Sequence, residues 1–252
     1  MILKTKPNVE EKKTCEKHGE YTVKYIELID RWMKVDVCPV CSKIASDERE
    51  AQEEKQRQWQ RQKQLHDAKR EAGISLRNID VDFDYFKCNS PEELSAKQKA
   101  QSYAEDVISG GSGCLIMVGN VGAGKTMLAT AIAEKVLSAG KKCAFVKFSD
   151  LIREIKDSWR KDSPHSESDV IAHYSKVKLL ILDEIGMQYG SDTEKMMIFE
   201  IIDGRYENVL PTVLISNLDF DGVRKCIGER VFDRLRHDGG QVIAFTWPSK
   251  RG

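Results

Sequence analysis

Three groups of residues in this sequence have the types and spacing to do chemistry. The first is Cys15-x-x-His18 and Cys38-x-x-Cys41, two pairs with 19 residues between them. Thiolate sulfur and imidazole nitrogen are donors that Zn²⁺ takes, and ligands two residues apart can grip one tetrahedral ion from a tight turn. Gly19 and Pro39 supply the turn chemistry. Four protein ligands close the coordination sphere, so Cys15, His18, Cys38 and Cys41 predict a structural zinc site.

The second group is Gly119-Asn120-Val121-Gly122-Ala123-Gly124-Lys125-Thr126, which fits G-x-x-x-x-G-K-[ST] at every fixed position. Successive N–H groups, freed from side chains at the glycines, can wrap a triphosphate at a helix N-terminus. Lys125 is expected to reach the β- and γ-phosphates of ATP, and Thr126 to hold Mg²⁺ through its hydroxyl. The third group is Asp183-Glu184, at the end of the apolar run Leu179–Leu182. Asp183 is expected on Mg²⁺ and Glu184 on the attacking water, a second acid that NTP hydrolysis uses and a kinase does not need. Asn217, at the tip of the next apolar run, is either a turn residue or a sensor hydrogen-bonding the γ-phosphate or attacking water. Arg230 and Arg234 stand at i, i+4 beside Glu229 and Asp233. They are ordinary ion pairs, or one is an arginine finger for the site of a neighbouring copy.

These residues need elements to hold them. Cys114–Val118 is a short continuous apolar run, as a strand buried on both faces should be. Met127–Leu137 carries apolar residues at helical spacing. The loop therefore falls between a strand and a helix. Lys178–Leu182 is a core strand whose acids emerge at its C-terminal end, where open α/β sheets place ligands. Cys143–Phe148, Pro211–Ile215 and Gln241–Thr246 read as further strands. Ser90-Pro91-Glu92-Glu93 opens a helix running to about Ile108, by N-cap, proline at N1 and first-turn acids. Ser149 is expected to cap a helix with Leu151, Ile152, Ile155 and Trp159 on its apolar face. Helices follow at Ser166–Lys176 and Ser191–Asn208. The alternation predicts an α/β fold, a parallel sheet flanked by helices. Arg153, Lys156, Arg160 and Lys161 form a separate basic stripe. It is a solvated face or a ridge that follows a nucleic-acid backbone.

Upstream, Tyr21–Ile29 and Trp32–Val37 read as strands around Asp30-Arg31, so residues 1–45 resemble a zinc ribbon. So short a segment cannot build a sufficient core, and metal would supply the folding energy, roughly 10–16 kcal/mol. Residues 46–73 are charged and nearly free of apolar side chains: a solvated helix, a linker, or a helix whose partner lies elsewhere. The domain of the phosphate loop is expected over 74–252, with Phe83, Tyr85 and Phe86 packed at its edge near the nucleotide base.

Composition narrows the function classes. Lys+Arg and Asp+Glu are both 40 in 252 residues, so net charge predicts no partner and any nucleic-acid contact must be local. Seven scattered cysteines make no disulfide framework. No run approaches 18 apolar residues and Met1–Lys13 lacks a signal peptide's apolar segment, so no membrane partner and a cytoplasmic location are expected.

The phosphate loop, Leu180–Gly186, Ile215-Ser216-Asn217, Gly228–Arg236 and Phe245–Arg251 occur in this order. Together they resemble the ATPase domain of DnaC-type replicative helicase loaders, a branch of the AAA+ initiators that also includes IstB-type transposition helpers. The resemblance covers residues 73–252. It implies a P-loop AAA+ ATPase, with a replicative helicase and single-stranded DNA as partners and ATP-dependent homo-oligomers. It implies Gly119–Thr126 as nucleotide-binding, Asp183 and Glu184 as the Mg²⁺/hydrolysis pair, and Asn217 as first sensor. It also implies Arg234 before Arg230 as the finger, and Arg251 as a second sensor. The helices of Ser149–Lys176 match an insertion that contacts single-stranded DNA in that family. The alternative within the same fold is an IstB-like helper assembling on duplex DNA. Two departures stand out: 69 residues after Asp183 leave room only for an abbreviated lid. The Cys15–Cys41 module differs from the metal-free helicase-binding segment of the bacterial loader and looks more like phage-encoded variants.

Overall fold

The computed structural model describes residues 2–3, 10–29, 31–186, 191–237 and 239–250. They form two compact units dividing between Lys63 and Gln64. Arg251 lies outside the described residues.

The first unit holds β1 (Ile2–Leu3), β2 (Lys12–Cys15), β3 (Gly19–Thr22), β4 (Lys24–Leu28), β5 (Arg31–Val35) and the start of α1 (Pro39–Glu71). Strands β2 and β3 make an antiparallel hairpin, and β1, β5 and β4 a three-stranded antiparallel sheet. Among the described residues of this unit only Val23 and Cys38 are buried. Two expectations shift. The strand expected over Tyr21–Ile29 breaks at Val23, whose amide bonds the Glu11 carbonyl at 2.8 Å while its side chain turns inward. The charged helix begins at Pro39 rather than Ser46. Proline at a helix start sacrifices no hydrogen bond and brings its own helical φ, so Pro39 opens the helix instead of turning the chain.

The second unit is built on a five-stranded parallel sheet, order β10-β6-β9-β8-β7. Its strands are β6 (Leu115–Gly119), β7 (Cys143–Lys147), β8 (Leu179–Ile185), β9 (Thr212–Ser216) and β10 (Gln241–Phe245). Every pairing is parallel. The strands are apolar on both faces because both are covered. Leu115, Met117, Ile181, Val213 and Phe245 pack with α2 (Pro91–Ser109) and α3 (Lys125–Ser138). Ile116, Val118, Leu180 and Leu214 face the other layer. That layer is α4 (Phe148–Asp157), α5 (Glu167–Lys176), α6 (Asp192–Glu207), α7 (Phe220–Ile227) and α8 (Glu229–Arg236). No described helix is long and apolar enough to cross a membrane.

Local chemistry explains most boundaries. Ser90, Ser166 and Ser191 each accept the N3 amide of the following helix, the last two within full capping boxes. Ser149 does not cap α4: with Phe148 buried as its first residue, the helix starts two residues earlier, after Lys147. Trp159 also departs from its expected core position. The helix ends at Asp157, the Ser158 hydroxyl bonds the Ile155 carbonyl at 2.6 Å, and Trp159 is left 52% exposed. Helix α7 has no counterpart among the sequence expectations; the Asp219 side chain caps it through the Gly222 amide.

Candidate nucleotide and metal sites

The phosphate loop joins β6 to α3, as its flanking runs predict. Gly119 (φ 122°) and Gly124 (φ 100°) occupy left-handed backbone that other residues rarely adopt. A Cβ at Gly124 would lie 2.6 Å from the Phe86 ring. Helix α3 starts without a side-chain cap, leaving its first amides to a ligand. The Lys125 ammonium lies inside the loop, donating to the carbonyls of Gly119 and Asn120 at 2.7 Å each. This uncapped positive end, with a lysine at its centre, fits a polyphosphate. Val121, at the loop's crest, is exposed.

The acids sit on β8, with β9 between it and β6. Asp183 is buried and accepts from the Thr126 hydroxyl at 2.9 Å and from the Glu184 amide at 2.7 Å. Burial pushes its carboxyl above the usual range, against both hydrogen bonds. A carboxylate beside a hydroxyl, short of positive partners, is the oxygen donor set that Mg²⁺ takes. A cavity of about 430 Å³ opens beside Thr126 and Asp183, bounded by Lys147, His173 and Tyr174. Next to Asp183 the β8–β9 register slips between Leu182 and Ile185, and Glu184 adopts φ 61°. That bulge turns Glu184 away from the core, where its carboxylate accepts from Lys147 at 3.0 Å. Neither the bulge nor the Lys147 bond was legible in the sequence.

Asn217 follows β9 directly and is exposed; Ser216 beside it pairs with Ile185 at the end of β8. Its position is therefore next to the acids. Arg230 is exposed, with no hydrogen-bond or ion-pair partner for its side chain among the described residues. Arg234 instead donates to Asp203 Oδ1 at 2.5 Å, between the rings of Phe199 and Tyr206 at 4.8 and 5.5 Å. The basic stripe divides: Arg153 and Lys156 lie on α4, whereas Arg160 and Lys161 follow its end. Arg153 pairs with Asp150 (3.1 Å), Lys156 with Glu194 (3.0 Å) and Arg160 with Asp162 (3.6 Å).

In the first unit, Cys15, His18, Cys38 and Cys41 place their ligand atoms within 4.8 Å of one another. The hairpin turn carries Cys15 and His18, while Cys38 precedes α1 and Cys41 lies in its first turn. Cys15 Sγ is 3.6 Å from Cys41 Sγ, and His18 Nδ1 is 3.7, 3.7 and 3.2 Å from the sulfurs of Cys15, Cys38 and Cys41. Sulfurs about 2.3 Å from a tetrahedral zinc stand about 3.8 Å apart, so the cluster fits that ion. The Lys17 backbone amide, foremost, holds the Cys15 thiol down at about 6. The bond to Cys15 pushes Cys41 up.

Comparison with known proteins agrees with this geometry. Residues 46–245 match the family described as IstB-like ATP binding protein. The replicative helicase loader DnaC of Escherichia coli (strain K12) is 33% identical over 180 residues, which cover 71% of this chain and 73% of the loader. A crystal structure of the DnaC helicase loader superimposes with a TM-score of 0.60 at 20% identity, covering 68% of this chain and 99% of that one. A crystal structure of DnaI gives 0.56 at 23% identity, covering 70% and 94%. At such identities these two structures speak for the fold alone. With a phosphate loop between β6 and α3, paired acids at the tip of β8, and a family match over most of its length, the chain belongs to the IstB/DnaC family of AAA+ ATP-binding proteins.

Proposed function

We propose that this chain is an ATP-dependent loader that binds a replicative helicase and delivers it onto single-stranded DNA. The carrying observation is the Thr126–Asp183 hydrogen bond beside an uncapped phosphate loop, in a chain one-third identical to a DnaC loader. Loop amides and Lys125 bind the phosphates of ATP; Thr126 and Asp183 are the residues that would hold Mg²⁺. That ion, when bound, neutralises charge on the phosphate oxygens. Glu184 orients and polarises the attacking water, and Asn217 hydrogen-bonds the water or the γ-phosphate. Arg234, released from Asp203, is the finger offered to a neighbouring copy, with Arg230 the second choice. Arg251 is the second sensor.

Residues 1–45 form the zinc-holding module and 46–73 the charged linker; together they grip the helicase. Arg153, Lys156, Arg160 and Lys161 follow the DNA strand, their exposed cations exchanging acidic neighbours for phosphates. ATP binding assembles copies side by side, and hydrolysis releases the loader. Turnover is slow, because one hydrolysis per loading event suffices. The protein works in the cytoplasm of a bacterial host.

The full chain, mixed with a replicative helicase and circular single-stranded DNA, is expected to raise the amount of helicase on the circle only when ATP is present. Glu184→Gln should bind ATP and load, yet lose at least about a hundredfold in hydrolysis. Loading independent of nucleotide would sink the proposal. The family match also keeps a transposition helper in view. ATP-dependent assembly on duplex DNA with indifference to helicase would favour it.

A further inference from the structure

A loop that binds an anion through its N–H groups turns its carbonyls the opposite way, and buried carbonyls need donors of their own. Here the donors come from the far end of the chain. The Trp247 indole Nε1 donates to the Ala123 carbonyl at 2.9 Å, and the Lys250 amide to the Gly122 carbonyl at 2.9 Å. The loop answers through Asn120. Its amide donates to the Phe245 carbonyl at 2.9 Å, and its Nδ2 to the carbonyls of Thr246 and Trp247 at 3.1 and 3.0 Å. Trp247 is buried, its ring 4.8 Å from that of Phe245.

The outer end of this segment is anchored as well. The Lys250 ammonium donates to Glu93 at 2.7 Å and to the Lys87 carbonyl at 2.5 Å, and lies 4.2 Å from the Phe86 ring centre. Burial alone would raise the Glu93 carboxyl, but the Lys250 bond and the Asn89 amide hold it below the usual range. Phe86 in turn packs against Gly124. Phe245–Lys250 thus crosses the carbonyl side of the phosphate loop and is tied down on α2.

We propose that Trp247, acting with Asn120 and Lys250, is a positioning residue for nucleotide binding: it holds the Ala123 and Gly122 carbonyls back so that the loop amides face the phosphates. The proposal rests on the reading of Gly119–Thr126 as the nucleotide site. Without the indole N–H, the peptide after Ala123 loses its partner and can turn its oxygen toward the anion, where it repels.

Trp247→Phe keeps a buried ring and removes only the donor. Titrated with a fluorescent ATP analogue, this variant is expected to bind about tenfold more weakly than the unsubstituted chain. Its kcat at saturating ATP should stay within about twofold, so the loss falls on KM. Its nucleotide-free melting temperature should move by no more than about 2 °C. Asn120→Ala loosens the same strap from the loop side and should weaken binding similarly. The double variant should lose little more than either single change, because both break one device. Affinity of Trp247→Phe within about twofold of the unsubstituted chain overturns the proposal. So does a lost affinity accompanied by a large fall in nucleotide-free melting temperature, the mark of general destabilisation. Should Trp247→Phe not fold, Asn120→Ala decides by the same two readings. If the unsubstituted chain itself fails to bind the analogue, the phosphate-loop reading falls instead.

Discussion

Glu184 holds a left-handed backbone conformation that a non-glycine residue adopts at a cost of order 1 kcal/mol, and its carboxylate rests on Lys147. The bulge that strains it also lifts it clear of the strand, so strain and exposure have one origin. Lys147 competes with any water for the same carboxylate. An ion pair this exposed contributes about 0.2–1 kcal/mol, so its removal is a modest change. Lys147→Ala is expected to raise ATP turnover in the absence of DNA by about two- to fivefold, measured as phosphate release. A drop to the level of Glu184→Gln would instead place Lys147 in the chemistry. The Asp183-Glu184 pair, with Asp183 the acid beside Thr126, was readable from residue type and order; the Lys147 partner of Glu184 depended on a register slip that no side-chain pattern announces.

At the scale of elements, Arg205 joins α6 to its neighbours. Its guanidinium is fully buried and donates to the carbonyls of Tyr174, Val177, Lys178 and Pro211, and its Nε to the Thr212 hydroxyl. Burial pushes it down to about 10, which leaves it charged at neutral pH. The acceptors are the end of α5, the lead into β8 and the start of β9, so one side chain sets where three elements meet. Arg205→Met keeps much of the volume and strands those carbonyls. It should cost roughly 2–4 kcal/mol in denaturant unfolding of the ATP-binding unit. A loss below about 1 kcal/mol would show that water replaces the guanidinium. The sequence places α6 by its apolar residues but gives no reason to single out an arginine in its last turn. Its four carbonyl partners are 6 to 31 residues away and become neighbours only in the fold.

For the whole molecule, the two units rest on different physics. Residues 64–252 bury a core on both faces of a parallel sheet, whereas the first unit buries only Val23 and Cys38 among its described residues. Its strands are laced instead by surface pairs such as the exposed Lys13–Asp36 and the half-buried Lys34–Glu11, which contribute little. A metal on the Cys15, His18, Cys38 and Cys41 cluster would supply the folding energy that so small a core lacks. Stripping the ion with a strong chelator should unfold residues 10–41, seen as lost amide-exchange protection there. ATP affinity should stay within about twofold, since the core around the phosphate loop owes nothing to the ligand cluster. Protection that survives with less than half an equivalent of zinc bound would refute the metal-dependent fold.

By itself the sequence determined what contiguous or periodic residues carry: the strand–loop–helix setting of the phosphate loop, the acids ending a core strand, the Cys/His pairs that cluster, the two-sided apolar strands and the Ser90 cap. These depend on short-range geometry, which residue type and spacing largely dictate. The tertiary structure alone decided what depends on distant parts meeting. Trp247 serves the Ala123 carbonyl across 124 residues, Arg234 is paired with Asp203, and Trp159 lies outside the core. Each of these turns on which donor fills a particular vacant acceptor, and packing, rather than pattern, makes that choice.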